Sequence, residues 1–501
     1  MKIKQTFFSF IFIVIILSMC TSLFADTNVS GTQTGTWNFA GSPYFVTGDI
    51  TVPSGNSLTI EPGVIVEVQG DFQITAEGYI TAEGTESDSI HFYGQAKSTW
   101  QGIRLEDETN QSTFYYSRIS DTDGINARGI HSLNSPVSIQ NCYFNNHRKA
   151  VNFSAMGEAD PSYMEILDSY ITNCEQCGIL VNENSNVLID NCEITQCGLG
   201  ASYWPAIQLA LQNSTGECNP TITNNHIHHN EKQGITLANL FNYGEMAPHV
   251  ESNIIEYNLT GIYLYNGQGY YKDNDIRFNF VLGNPNSGAG VMLYGSGTNG
   301  TFVQNEVTGN FCGFYCMENA TSNLGDLGNF DPNDDGLNYI HDNEDESGTV
   351  YSFYNMSAED IKAENNTWDS NNYGEIELTI IDWNDNPAYG IVDFDPINPG
   401  VSIDPNSTYD PINILNYPNP FTHSTRFIYI LTQPADVEIA IYNLKGQEVK
   451  STKISHHESG VFNLYWDGSG ENGRALRSGI YLYNVKVNDV ISETGRCIFL
   501  N

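Results

Sequence analysis

Along the middle of the chain a tetrapeptide of small residue, apolar residue, any residue, apolar residue keeps returning. Its copies are Gly102-Ile-Arg-Leu, Ala150-Val-Asn-Phe, Gly178-Ile-Leu-Val, Ala206-Ile-Gln-Leu, Gly234-Ile-Thr-Leu, Gly261-Ile-Tyr-Leu, Gly290-Val-Met-Leu and Gly313-Phe-Tyr-Cys, with a weaker copy at Gly129-Ile130. Successive starts lie 27, 21, 28, 28, 28, 27, 29 and 23 residues apart, a regularity that marks repeated structural units. Within each copy the apolar residues alternate with period 2, and the flanks are Asn, Gly and Ser, so each copy reads as a short strand. A strand this short cannot bury its own face, so neighbouring copies must stack.

A second strand precedes most copies, centred on Phe144, Ile171, Ile194, Ile227, Ile255, Ile276 and Val307. Two residues before these centres stand Cys142, Ser169, Cys192, Asn225, Asn253, Asn274 and Asn305; three residues after them stand His147, Cys174, Cys197, Asn230, Asn258, Asn279 and Asn310. Equivalent positions in stacked parallel strands lie ~4.8 Å apart, which lets side-chain amides bond from one repeat to the next as ladders. Small thiols fit the same slots. Over residues 102 to 370 this pattern resembles the right-handed parallel β-helix of the pectate-lyase-like superfamily. Residues 26–100 alternate around Gly turns, as in Ile60-Glu-Pro-Gly-Val and Ala82-Glu-Gly-Thr-Glu, and read as an N-terminal cap with the first rungs, similar to surface β-helix proteins of environmental bacteria.

The two ends carry different signals. Lys2 and Lys4 precede an apolar run from Phe7 to Leu17, and Ala25-Asp26 supplies a cleavage junction, so residues 1–25 read as a secretory signal peptide. Eleven residues are too few to span a bilayer, and no later segment is apolar enough, so the chain is not expected to be an integral membrane protein. After a polar linker at 401–415, residues 416–501 form a separate β pattern: Tyr417-Pro-Asn-Pro-Phe421, a strand from Val437 to Val449, Trp466-Asp-Gly468 and Ser478-Gly-Ile-Tyr-Leu-Tyr483. Together these motifs resemble the type A C-terminal sorting domain of the type IX secretion system and the flagellar hook-capping immunoglobulin-like module. The resemblance implies an outer-membrane translocon as partner and display at the cell surface. One departure is the terminus, Glu493-Thr-Gly-Arg-Cys-Ile-Phe-Leu-Asn501, which has a single Arg and Cys497 where such domains often carry a basic pair. The fold class expected is all-β: a right-handed parallel β-helix over 101–400, then an immunoglobulin-like β-sandwich.

Charge narrows the partners. With 20 Lys+Arg against 59 Asp+Glu the net charge is −39, which excludes nucleic acid and repels a polyanion unless a cation bridges it. The abundance of 56 Asn and 45 Gly suits turn-rich β structure. Nine cysteines follow the signal segment, an odd number, and the column Cys174/Cys197 allows either a bridge or buried ladder thiols.

Candidate chemistry lies on outward positions of adjacent rungs. The position after each strand centre brings His228, Glu256 and Arg277 into one column, with Glu193, His226 and Asp275 on the same face. A base, an acid and a cation in a row suit elimination or hydrolysis of an acidic sugar; compensating charges on a solvated face are the plainer reading. Tyr263, Tyr265, Tyr294 and Tyr315, with Tyr270 and Tyr271 close by, suit stacking on sugar faces, or packing under inserted loops. Asp331, Asn333, Asp335 and Asp342 occupy positions 1, 3, 5 and 12 of a loop with Gly336 at position 6, which fits a Ca²⁺ loop of dockerin-like kind; an acidic turn is the alternative. Phe330-Asp-Pro-Asn-Asp334 is similar to the Asp-Pro-His-Asp motif of alginate epimerases, but Asn333 replaces the proton-transferring histidine. The function expected is a secreted, surface-displayed polysaccharide-binding protein, with a lyase or hydrolase of acidic glycans and a structural adhesin as alternatives.

Overall fold

The computed structural model describes residues 26–398 and 414–500, apart from 96–99, 123, 125, 156–162, 185, 212–215, 281–287, 330, 346–347, 418–420, 422–423, 432–434, 458–459, 472, 475 and 489. The leader at 1–25 and most of the linker at 401–415 therefore lie outside the described residues. The chain divides into two compact units, residues 1–399 and 400–501.

The first unit winds as a right-handed parallel β-helix. Each turn contributes three short strands, seen in Val137–Gln140, Tyr143–His147 and Val151–Ser154, and each strand pairs in parallel with its counterpart one turn on. Three sheets result: a leading sheet of fourteen strands from Gly35–Trp37 to Val392–Asp393, a ladder sheet ending at Thr367–Trp368, and a closing sheet ending at Ile380–Ile381. The ladder and closing sheets are the two strands predicted above. Near the start, the long strand Tyr44–Val52 belongs to both, pairing with Ile65–Val68 at one end and Gln73–Ala76 at the other.

The leading sheet was not anticipated, although its signal is present. Five residues before each ladder-strand centre stand Ile139, Ile166, Ile189, Ile222, Val250, Tyr271 and Phe302, all wholly buried. This places Tyr271 in the core, stacked on Phe302 with ring centroids 4.6 Å apart, and corrects its assignment to an exposed aromatic row.

Both predicted ladders form and run further than expected. In the first, the Oδ1 of Asn253, Asn274, Asn305, Asn338 and Asn366 each accepts the Nδ2–H and the backbone N–H of the ladder residue one turn earlier, at 2.8–3.0 Å. The second does the same through Asn230, Asn258, Asn279, Asn310 and Asn343. Buried amides are thereby satisfied without water. The residues just before the ladder asparagines turn the corners in the left-handed region, even where bulky, as at Tyr257 (φ 54°) and Phe278 (φ 53°).

Earlier in the helix, thiols take over the role of the amides. Cys192 Sγ donates to Ile166 O at 3.5 Å, as Asn225 Nδ2 donates to Ile189 O at 3.0 Å. All nine described cysteines are free and buried, so Cys174 and Cys197 are ladder thiols rather than a bridge. The small residue opening each tetrapeptide is explained by close approach: a Cβ at Gly261 would lie 2.6 Å from the carbonyl oxygen of Gly290 one turn on.

The second unit holds two antiparallel sheets. Ile414–Tyr417, Thr425–Leu431 and Gly460–Trp466 form one; Glu448–His457, Ala435–Asn443, Gly479–Val487 and Val490–Phe499 form the other. Phe421, Phe427, Trp466, Tyr481, Tyr483 and Phe499 fill its core, and Cys497 belongs to that core as well.

Candidate functional site

On the outward face of the ladder sheet, stacking converts sequence separations of 21 to 35 residues into contact. Glu256 is central. Its Oε1 lies 2.8 Å from His226 Nε2 and its Oε2 accepts from Arg277 Nε at 2.7 Å. Arg277 Nη1 in turn donates to Asp275 Oδ2 at 2.5 Å. His228 Nε2 lies 3.3 Å from Glu193 Oε1, and its ring stacks on His226 at 4.0 Å. The predicted trio His228, Glu256 and Arg277 is thus brought together with all three of its predicted neighbours.

The electrostatics divide these groups. Burial alone would raise the Glu256 carboxyl, but the hydrogen bond from His226 and the charge of Arg277 carry it down to about 2. Burial pushes Asp275 up to about 6 against the pull of Arg277, and its Oδ1 is buried without a hydrogen-bond partner. Burial also lowers His228, so its ring is neutral at pH 7. Most of the charge here is internally compensated.

The row continues into residues that the spacing argument missed. Glu306 lies 3.5 Å from His341 Nε2, and Asp342 Oδ2 lies 2.6 Å from His341 Nδ1. Burial opposes the imidazolium, but these two carboxylates raise His341 to about 9. The signal was present in Asn338 and Asn343, which stand two before and three after Ile340 as the asparagines do around Ile227, Ile255, Ile276 and Val307. The acidic segment from Asp326 to Asp335 just before this strand hid it.

That same strand separates the four predicted calcium ligands. Asn333 donates to Asp331 Oδ1 from both its backbone and its side chain (3.0 and 2.8 Å). The Asp335 carbonyl accepts from Asn365, and Asp342 is taken up by His341 across the strand Tyr339–His341. Among the described residues no group of three or more His, Cys, Asp or Glu converges to hold a metal ion.

The closing sheet presents the tyrosines. Tyr263, Tyr265, Tyr294 and Tyr315 are all half-buried. Tyr265 stacks on Tyr294 at 4.9 Å, Tyr263 meets Tyr265 edge-on at 6.4 Å, and Tyr315 meets Tyr354 edge-on at 5.2 Å. They follow from the register, which pairs Tyr263 with Met292 and Tyr265 with Tyr294, then Met292 with Tyr315.

Comparison with known proteins agrees with this architecture. The family model described as right handed beta helix region matches residues 101–281, and the FlgD Ig-like domain model matches 421–490. No curated protein matches the chain. Among solved structures, the periplasmic alginate epimerase AlgG aligns at 12% identity over 73% of this chain and 82% of its own, with a TM-score of 0.41. The enzymatically active domain of bacteriophage CBA120 tailspike protein 2 aligns at 10% identity over 94% of this chain and 72% of its own, TM-score 0.36. Dimeric latent PorU from Porphyromonas gingivalis aligns at 24% identity over 18% of this chain, TM-score 0.17, and the match spans 9% of that chain. The class defined is therefore a right-handed parallel β-helix followed by an immunoglobulin-like domain.

Proposed function

We propose that the β-helix binds an extracellular polysaccharide along the tyrosine-bearing closing sheet, and that residues 416–501 deliver it to the cell surface through the type IX translocon. The observation that carries the binding reading is the Tyr263–Tyr265–Tyr294 cluster, aromatic rings on adjacent turns of a rigid scaffold with part of each ring open to solvent. Rings so placed offer apolar faces to sugar C–H groups at little entropic cost, because the sheet holds them in advance. The β-helix of the alginate epimerase and tailspike structures belongs to proteins whose names refer to polysaccharide chemistry or to enzymatic activity, which is in keeping with a glycan ligand. Delivery rests on the sorting-domain motifs, and Ca²⁺ held by the loop of Asp331, Asn333, Asp335 and Asp342 is part of the same proposal.

The test is affinity electrophoresis of the full chain through gels containing neutral or acidic polysaccharides. Retardation by one polysaccharide, reduced at least tenfold in affinity by Tyr265→Ala, is expected; equal migration in all gels would overturn the reading.

A second reading, an enzyme acting on an acidic glycan, is favoured by Asp275, whose carboxyl near 6 and unpartnered oxygen suit a proton donor beside the ionised Glu256. New reducing ends or unsaturated products that disappear in Asp275→Asn would establish it.

A further inference from the structure

Cations are scarce in this chain, yet four of its 20 Lys and Arg gather at one corner of the early turns. The corner between the ladder and closing sheets stacks Gln101, Arg128 and Lys149 directly: Arg128 N–H donates to Gln101 O at 3.1 Å and Gly129 N–H to Lys149 O at 3.0 Å. Arg148 precedes Lys149 on the same corner. On the adjoining closing strands Arg104 pairs in register with His131, and Arg104 Nη1 lies 3.3 Å from His131 Nδ1. Gln73, Gln101, Arg104, Asn126, Arg128 and His131 line a cavity of about 480 Å³.

Two features set this corner apart from a solvated patch of positive charge. Arg128 Nε and Arg148 Nε are buried and have no hydrogen-bond partner, and neither guanidinium has an ion-pair partner among the described residues. An unpartnered buried donor on a cation is costly, and the cost falls when an anion fills the site. Protein carboxylates answer only part of the charge: Glu106 pairs with Arg104, and Glu175 faces Lys149, whose Nζ otherwise sits 4.4 Å over the Trp204 ring. Cys177, the remaining titratable neighbour, stays a neutral thiol because burial pushes it up to about 12. Burial and the surrounding Arg128, Arg104 and Lys149 hold the His131 ring neutral, down to about 3, so it adds no charge to the corner, and its two nitrogens face Arg104 Nη1 and Ser154 Oγ, each at 3.3 Å.

We infer that Arg104, Arg128 and His131 form an oxyanion-binding notch that takes the carboxylate or sulfate group of an acidic sugar, with Arg148 on the same corner adding to its positive field. The guanidinium forks suit either group in bidentate fashion. The notch also answers the objection that a chain of charge −39 repels an acidic glycan: the field is reversed locally where the anion docks. The sugar part of this assignment rests on the glycan reading above, whereas the anion part does not.

The experiment measures heat of binding and thermal stability of the full chain with sodium D-galacturonate, sodium sulfate and neutral D-galactose, at constant ionic strength set with chloride. Galacturonate, sulfate or both are expected to bind and raise the melting temperature while galactose does neither; galacturonate alone identifies a sugar carboxylate, and sulfate alone a sulfate ester. Arg128→Gln and Arg104→Gln should each weaken binding at least tenfold, and thermal unfolding of each variant without anion checks that it folds. Failure of the unmodified protein to bind either anion, or unchanged binding in Arg104→Gln and Arg128→Gln, would overturn the notch. Tyr265→Ala should leave binding of the small anions intact, so loss of polysaccharide retardation with retained anion binding separates the two readings.

Discussion

Glu256 carries much of the pH dependence expected of this protein. Its carboxyl ordinarily titrates near 4.5 and in the folded chain near 2, so its stabilisation is complete above about pH 4.5 and is lost as the pH falls toward 2. His341 works at the other end: raised from 6.5 to about 9, it stabilises fully below pH 6.5 and loses that contribution as the pH climbs through 9. Asp275 opposes Glu256, since its raised carboxyl favours the fold below pH 3.8 and ceases to do so by about 6. Acid titration of Glu256→Gln against the unmodified chain isolates the first term. The variant should be less stable at pH 7 by roughly 3 kcal/mol, and the difference should vanish by pH 2. A constant difference across that range would mean that Glu256 acts by packing alone. For His341→Gln the difference should shrink between pH 7 and pH 10, followed by chemical denaturation.

At the scale of the strand and its corners, the ladders make a sharper claim. Asn279 Oδ1 accepts both N–H groups offered by Asn258, and its own Nδ2 donates to Asn310. Asn279→Ala therefore strands buried donors on one side and an acceptor on the other, and should cost about 3 kcal/mol or more in urea unfolding. Cys197→Asn should do the opposite. Its backbone N–H already reaches Asn230 Oδ1 at 2.9 Å, so a side-chain amide there extends the ladder by one step and should leave stability unchanged or raise it by about 1 kcal/mol. A loss of more than 1 kcal/mol would show that the slot is shaped for sulfur. These two strands were legible because period-2 alternation and Asn spacing coincide in them. The leading sheet was not, because its strands share no recurring small residue at a fixed position and its turns vary in length, so only the fixed offset of Ile139, Ile166 and Ile189 from the next centre betrays it. Among site residues, the His228, Glu256 and Arg277 column was readable from its fixed place one residue after the ladder-strand centres. The arginine notch was not, because Arg128 and Arg148 sit on corners whose stacking depends on backbone path rather than on alternation.

For the whole molecule, the separation of the chain into two units with their own cores gives the proposed delivery and the proposed binding different residues. A reporter fused ahead of residues 416–501 should be exported by a type IX host and retained when Trp466→Ala empties the core of that domain; retention of both, measured in the culture medium and on the surface, would refute the proposed route. No described helix is long and apolar enough to cross a membrane. The proposed binding surface, by contrast, belongs to the β-helix alone.

The uniform direction of the ladders has a further consequence. Each asparagine offers the previous turn the same acceptor and the next turn the same donors, so any turn between Asn225 and Asn343 presents identical terms above and below. Duplicating or deleting one such turn in the gene would leave every remaining amide matched. The length of this fibre-like body, and with it the reach of whatever it holds, is open to inheritance one coil at a time, whereas the thiol-bearing turns before it join the series only at a fixed boundary.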